Sequence, residues 1–294
     1  MDEKDWLADR FEEHRAHLRA VAYRMLGSLA EADDAVQDSW LRVSRAGADD
    51  VENLGGWLTT IVSRVCLNML RSRNVRREDF FGIPDPVVGP DREPQPEEEA
   101  VLADSVALAL LVVLDTLSPA ERIAFVLHDL FKLPFEEIAP MVGRSPAAAR
   151  QLASRARRRV SGAEIPAPDP DLARQREVVD AFFVASRGGH FDDLVALLDP
   201  DVVLRSDFGG RRPADSGVTR GAAAVAGRAL LGAIPNAVVR PVLVNGAAGA
   251  FITVRGRPFA LMGFTVSDGR IVEIDAIADP QRVRRLAGAV LGDG

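Results

Sequence analysis

Six arginines fall between residues 144 and 159, and no acidic side chain stands among them: Arg144, Arg150, Arg155, Arg157, Arg158 and Arg159. Guanidinium groups at that density can hold phosphates, and Arg, Gln and Ser can also hydrogen-bond base edges. At helical spacing Ala147, Arg150, Gln151, Ser154 and Arg158 share one face. Ala149, Leu152, Ala153, Ala156 and Val160 share the other, which is apolar and can pack on a neighbour. Small residues beside long hydrogen-bonding ones are what a helix needs to enter a major groove and reach bases. Arg144, Arg155, Arg157 and Arg159 flank that face, where phosphates would lie. A helical hairpin with a solvated arginine face is the alternative; the acid-free run and the small residues favour DNA.

The elements that must position this face can be read just before it. Phe135 to Met141 makes a short helix, with Pro140 near its end helping to stop it. Gly143 supplies a turn with positive φ. Ser145 can cap the second helix and Pro146 fits its first position. Phe135 to Val160 therefore reads as a helix-turn-helix. Upstream, Ser118-Pro119-Ala120-Glu121 starts a helix running to Leu130, and Ala100 to Leu117 is a longer apolar-periodic helix.

The 294 residues divide into three blocks. The first, about residues 6–74, is helical. Its second helix, Glu31 to Val43, turns Ala32, Ala35, Val36, Trp40 and Val43 inward and Asp33, Asp34, Gln37 and Asp38 outward. A polar loop from Arg45 to Asn53 leads to a third helix, Gly56 to Arg73, rich in arginine at its end. A first linker, Phe81 to Pro96, follows; its prolines forbid a helix and its acids discourage a strand. The second block is the helical one just described. A short linker, Ile165 to Pro170, precedes a third block of α+β character. There Leu172–Ser186 and Ala222–Leu231 read as helices, and Val238–Asn245, Ala250–Arg255, Phe259–Ser267 and Arg270–Ala278 as strands.

Composition narrows the function classes. A net charge of −7 on its face argues against nucleic acid, but what matters for DNA is where the positive charge sits, and here the arginine cluster concentrates it. One cysteine, Cys66, excludes a disulfide framework and a multi-cysteine metal site and suits a reducing cytosol. No apolar run reaches the roughly 20 residues of a membrane span, and the charged N-terminus lacks a signal core. A cytoplasmic protein with no metal, no cofactor and no membrane partner is expected.

Two stretches of block one, AYRMLGSLAEADDAVQDSWLRV and GWLTTIVSRVCLNMLRSR, resemble the first conserved domain of extracytoplasmic-function (ECF) sigma factors of the sigma-70 family. Block two, with LDTLSPAERIAFVLHDLFKLPFEEIAPMVGRSPAAARQLASRARRRV, is similar to their second. The resemblance implies RNA polymerase core, through its β′ clamp and β subunits, and promoter DNA as partners. Asp33, Asp34, Gln37, Asp38 and Trp40 fall in the helix that such factors dock on the β′ clamp. Arg45 to Trp57, with Asn53 and Trp57, falls where the family captures a flipped base of the minus-ten element, with Arg64, Arg71 and Arg73 placed to hold the separated strand. Arg144, Ser145, Ala147, Arg150, Gln151, Ser154, Arg155 and Arg158 would meet the minus-thirty-five element. The implied organisation is region 2 over residues 1–80, a Pro-rich linker over 81–97, region 4 over 98–164, a short linker over 165–171 and a third domain over 172–294.

That third domain resembles SnoaL-like members of the NTF2-like superfamily, in which helices pack against a curved sheet around a cone-shaped pocket. A subgroup of ECF factors, to which the SigJ-like factors belong, carries such an extension. Pro84-Asp85-Pro86-Val87-Val88 is similar to that subgroup's WLPEPVV motif, Asp207-Phe208-Gly209-Gly210-Arg211 to its DGGGK, and Asp279-Pro280-Gln281-Arg282-Val283 to its NPDKL. These segments are the expected points of intramolecular contact, giving control in cis. SnoaL-like folds also include enzymes that use pocket acids and histidines. Glu273 and Asp275 alternate onto one strand face, and His190 follows a Gly-Gly helix end. A solvated strand face and a capping histidine are the readings the residues favour, and no catalytic residue is assigned. If the pocket takes a small molecule, the sequence does not name it.

Overall fold

The structure is a computed structural model that describes residues 3–46, 51, 53–76, 83–90, 108–162, 167–209 and 215–291. The chain divides into two compact units. The first takes residues 1–79, 84–86 and 109–165; the second takes 80–83, 87–108 and 166–294. The linker between the sigma-like blocks is therefore shared. Pro84 to Pro86 belongs to the first unit, and its flanks belong to the second.

The first unit is all helical. Its first three helices are α1 (Glu3–Leu26), α2 (Leu29–Ala46) and α3 (Leu54–Arg76). They bury Phe11, Leu18, Met25, Val36, Leu58 and Val62 almost completely. Asn53 starts α3: its Oδ1 accepts from the Gly56 amide at 3.0 Å. Block two adds α4 (Leu108–Asp115), α5 (Pro119–Phe125), α6 (Phe135–Val142) and α7 (Pro146–Gly162). A single π turn, Val126–Leu130, extends α5. The two blocks pack together within this unit. The His17 ring meets Phe131 edge-on at 5.4 Å, Arg24 lies over the same ring at 4.7 Å, and Arg122 donates to the Arg24 carbonyl at 3.4 Å.

The second unit is α+β. Its elements are β1 (Val88–Pro90), α8 (Leu172–Gly188), α9 (Phe191–Leu197), β2 (Leu198–Asp207), β3 (Gly217–Arg220), α10 (Ala222–Leu231), β4 (Ala237–Val244), β5 (Ala247–Val254), β6 (Arg257–Ser267), β7 (Arg270–Ile277) and α11 (Pro280–Leu291). The strands form one sheet in the order β1-β4-β5-β6-β7-β2-β3. All neighbours are antiparallel except β2 and β7. One core joins α8, α9 and α10 to one face of this sheet, through Phe182, Phe183, Leu194, Val225, Phe264 and Ile274. Phe182, Phe183 and Phe264 meet edge-on with centroids 5.5 to 5.8 Å apart, a geometry aromatic quadrupoles favour. Gln175 is buried in this unit because both ends of its amide are used: Nε2 donates to the Asp169 carbonyl and Oε1 accepts from the Ala248 amide.

The structure departs from the sequence reading in three places. Val88–Pro90 is a strand despite its Pro-rich surroundings, because it takes the sheet edge beside β4, where Pro90 disturbs no interior ladder. Pro140 does not end α6, which runs two residues further; Gly143, at φ 67° and ψ 42°, ends it. The elements α9, β2, β3 and α11 were not foreseen. The expected helix Ala100–Leu117 is described only from Leu108, its first half lying outside the described residues.

Ser118 closes a complete capping box: its hydroxyl accepts from the Glu121 amide, and the Glu121 carboxylate accepts from the Ser118 amide. Ser118→Ala is expected to lower the unfolding free energy of the first unit by about 1 kcal/mol in urea titration, with no loss of helical circular dichroism at zero denaturant. An unchanged midpoint would contradict the capping role.

Candidate nucleic-acid interface

The proposed reading helix is α7. Its inward side buries Ala149, Ala153 and Ala156 completely, and these small side chains let α7 lie close to its neighbours. Its outward side is exposed at Ala147, Arg150, Gln151, Ser154, Arg155 and Arg158, with Arg144 and Ser145 exposed just before it. The Ser145 hydroxyl accepts from the Ala148 amide at 3.3 Å, so it caps the helix. The Arg150 guanidinium lies over the Phe135 ring at 5.3 Å, which biases its side chain without engaging it in an ion pair.

Two of the flanking arginines are paired with carboxylates of the same unit. Arg157 donates through two nitrogens to Asp129, the nearer at 2.7 Å, and Arg159 reaches Glu121 at 2.8 Å. Both carboxylates lie outside the 144–159 window, so the linear sequence hid them. Burial would push Glu121 up, but Ser118 and Arg159 together hold it below the usual carboxylate range. Arg144, Arg150, Arg155 and Arg158 remain as the open cations of this surface.

On α2, Asp34 and Gln37 are exposed. Asp33 forms a two-pronged ion pair with Arg19 of α1, the shorter contact at 2.6 Å, yet keeps 56% of its side chain exposed. Asp38 pairs with Arg42 one turn on, at 2.8 Å. Trp40 is half-buried, with its ring 5.1 Å from Phe11. At the minus-ten candidates, Asn53 is exposed but committed to its cap, Trp57 is half-buried, and Arg64 and Arg71 are exposed. The side chain of Arg73, near the end of α3, lies outside the described residues. Cys66 is buried in the same helix, and burial pushes its thiol up to about 12, so it carries no thiolate at neutral pH.

The candidate regulatory segments have defined partners inside each unit. In the first, Pro84 and Pro86 are buried and Asp85 is bonded on three sides. The Asp85 amide donates to the Gly27 carbonyl at 2.8 Å, its carbonyl accepts from Tyr23 Oη at 2.9 Å, and its carboxylate accepts from Ser28 Oγ at 3.1 Å. In the second unit Arg282 is the hub that sequence reading did not single out. It is buried, and it donates to Asp207 Oδ2 at 2.5 Å and to the Ile83 carbonyl at 2.8 Å. Asp279 caps α11 through the Gln281 and Arg282 amides, with Pro280 exposed at the first helical position. Gly209 sits at φ 68°, and a Cβ there would collide with the Asp279 carboxylate. Asp207, Gly209 and Asp279 are thus brought together; Gly210 and Arg211 lie outside the described residues. Val87 and Asn245 exchange two bonds of 2.8 Å, which fixes the linker beside β4.

Glu273 and Asp275 are not on a solvated face. Both are buried, and Arg205 donates to Glu273 at 2.7 Å and to Asp275 at 3.0 Å. Burial, and to a lesser extent the neighbouring Glu273, raises Asp275 to about 6, against the opposing pull of Arg205. His190 precedes α9 and makes no side-chain cap bond; its ring lies 3.3 Å from Asp193, and both groups are exposed. Among the described residues no group of three or more His, Cys, Asp or Glu could hold a metal, and no helix is long and apolar enough to cross a membrane.

Comparison with known proteins places these features. Residues 10–76 match the Sigma-70 region 2 family, and residues 107–160 match Sigma-70 region 4. The chain is 38% identical over 288 residues to the ECF RNA polymerase sigma factor SigJ of Mycobacterium tuberculosis, covering 92% of this chain and 91% of that one. The probable ECF RNA polymerase sigma factor SigI of M. tuberculosis is 38% identical over 210 residues, 70% of this chain and 72% of its own. The crystal structure of M. tuberculosis SigJ superposes with a TM-score of 0.73 at 36% identity, over 94% of this chain and 97% of that one.

Because folded Asp275 holds its proton up to about pH 6, the native state binds a proton that the unfolded chain releases near pH 4. The sign follows: this group's stabilising contribution is present at low pH and is lost as pH rises from about 4 through 6. Asp275→Asn removes that dependence. The urea midpoint of the variant, relative to the parent, should improve steadily between about pH 4.5 and pH 7. A difference independent of pH would contradict it.

Proposed function

The chain belongs to the extracytoplasmic-function sigma factors of the sigma-70 family, and from that membership we propose that it confers promoter specificity on RNA polymerase while its third domain governs the process in cis. The observation that carries this reading is the exposed face of α7 in a chain that matches regions 2 and 4 in order and aligns with SigJ over nearly its full length.

The roles assign as follows. Arg150, Gln151, Ser154 and Arg158 read bases of the minus-thirty-five element, with Ala147 giving close approach, and Arg144, Ser145 and Arg155 hold the backbone. Asn53, Trp57, Arg64, Arg71 and Arg73 act on the minus-ten element. Asp34 and Gln37 lead the contact with the β′ clamp, with Asp33, Asp38 and Trp40 shaping that surface. These steps belong in the cytoplasm, where polymerase and promoter are.

Regions 2 and 4 lie against each other in the first unit, so both cannot engage an extended promoter until they separate. The linker is the natural control point. Asp85 is held by α1 and the start of α2, while Ile83 is held by Arg282 and Val87 by Asn245. The third domain therefore acts by setting the freedom of residues 83–90. Its role is regulatory rather than catalytic: the carboxylate pair Glu273 and Asp275 is neutralised in part by Arg205 and lies on the strand face opposite the inward residues Ile274 and Ala276.

Run-off transcription with core polymerase over a promoter library tests the whole reading. Full-length protein should give promoter-specific transcripts. Arg150→Ala should weaken its preferred promoter roughly tenfold or more, since a good base contact is worth about 1–3 kcal/mol of discrimination. Removing residues from Leu172 onward, or Arg282→Met in the full chain, should change transcript yield. Equal yields from all three proteins would sink control in cis, and no specific transcript at all would sink the sigma-factor reading.

A further inference from the structure

The second unit holds a cavity of about 460 Å³ between α8, α10 and the inner sheet face. That is the size of a small-molecule site. Its walls are mostly apolar: Phe182, Leu204, Ile252, Met262 and Ile274 line it among others. Leu231 and Phe259 also line it and are exposed, so the cavity opens to solvent on an apolar edge. The carboxylates Glu273 and Asp275 do not contribute, because β7 turns Ile274 and Ala276 inward instead.

The charge of the lining is unbalanced. Among the described lining residues, two arginines, Arg187 and Arg228, stand with one acid, Asp215. Arg187 donates through Nε to the Phe183 carbonyl of its own helix. Arg228 is half-buried, and only its Nη2 is engaged: it donates to the Asp215 carbonyl at 2.8 Å and to Ser206 Oγ at 3.4 Å. Both acceptors are neutral. Among the described residues no carboxylate pairs with Arg228, and its Nε and Nη1 meet no acceptor. A guanidinium held in place by one nitrogen, at the wall of an apolar cavity, offers two donors and a positive charge that is not ion-paired among the described residues to whatever enters.

We propose that this cavity binds an anionic amphiphile, a monocarboxylic acid with an apolar body, whose carboxylate sits on Arg228 with the Ser206 hydroxyl beside it and whose hydrocarbon or aromatic part fills the space between Leu204, Ile252 and Met262. The apolar walls supply affinity through burial, and Arg228 supplies selection for negative charge, since a charge-assisted bond in a poorly hydrated site is roughly twice as strong as a neutral one. An amine of the same shape is rejected by the same charge. Binding here is independent of the transcription reading and is measured without polymerase.

The test is isothermal titration of the full chain with decanoate, 1-decanol and decylammonium. Decanoate should bind at least about tenfold tighter than decanol, and decylammonium weakest. Arg228→Gln should remove the advantage of decanoate over decanol while leaving decanol affinity unchanged. Arg228→Lys should keep part of the advantage, because the charge survives though the fork does not. Met262→Trp, which fills the cavity, should abolish binding of both. Circular dichroism and the thermal midpoint establish that each variant is folded. Should Arg228→Gln unfold, the ligand series on the parent and Arg228→Lys decide the matter alone. Equal affinity for decanoate and decanol, a preference for decylammonium, binding of none of the three, or a folded Arg228→Gln that keeps the preference would each overturn the proposal.

Discussion

Residues 83–90 contain three prolines and so cannot satisfy their own backbone. Pro84, Pro86 and Pro90 have no amide to give, and the remaining carbonyls and amides must find partners elsewhere or stay wet. Each unit meets part of that demand within itself. Tyr23 and Gly27 take up Asp85, and Arg282 and Asn245 take up Ile83 and Val87. Much of what is unusual in both units follows. Gly27 at φ 72° leaves room for Pro84, whose Cβ would stand 3.3 Å from any Cβ placed there. α11 carries Arg282 to its acceptors, Asp279 caps its start, and Gly209 leaves room for the Asp279 carboxylate.

Arg282 also illustrates the cost of such an arrangement. A buried guanidinium is tolerable only when its charge is met and its donors are filled. Asp207 meets the charge, and the Ile83 carbonyl takes another donor. Ile83 is therefore a structural component of the second unit, since its carbonyl accepts from this buried guanidinium. Coupling between linker position and domain stability is built into that one side chain.

How much of this could be read from residues alone varied with the range of the interaction. The helix-turn-helix was legible because its signals are local: Ser145, Pro146, Gly143 and the periodic alanines all act within a few residues. Strands β4 to β7 were legible for the same reason, being joined by tight turns at Asn245-Gly246, Arg255-Gly256 and Asp268-Gly269. β2 was not. It reads LDPDVVLRSD, carries a proline and three acids, and is stabilised by parallel pairing with β7, more than sixty residues away. The ion partners were hidden likewise. Nothing near Arg157 or Arg159 announces Asp129 and Glu121, and nothing near Glu273 announces Arg205. Arg282 stood inside a motif already noted, but its role depends on a carbonyl 199 positions earlier.

The pairing of Arg157 and Arg159 has a thermodynamic corollary. DNA binding draws much of its free energy from the release of condensed cations, and each phosphate neutralised contributes a slope of roughly −0.9 in log affinity against log salt. Side chains already neutralised by protein carboxylates release nothing. With Arg144, Arg150, Arg155 and Arg158 left without a carboxylate partner on the α7 surface among the described residues, four phosphate contacts would give a slope of roughly −3.6, shallower than the six arginines of the linear sequence would suggest.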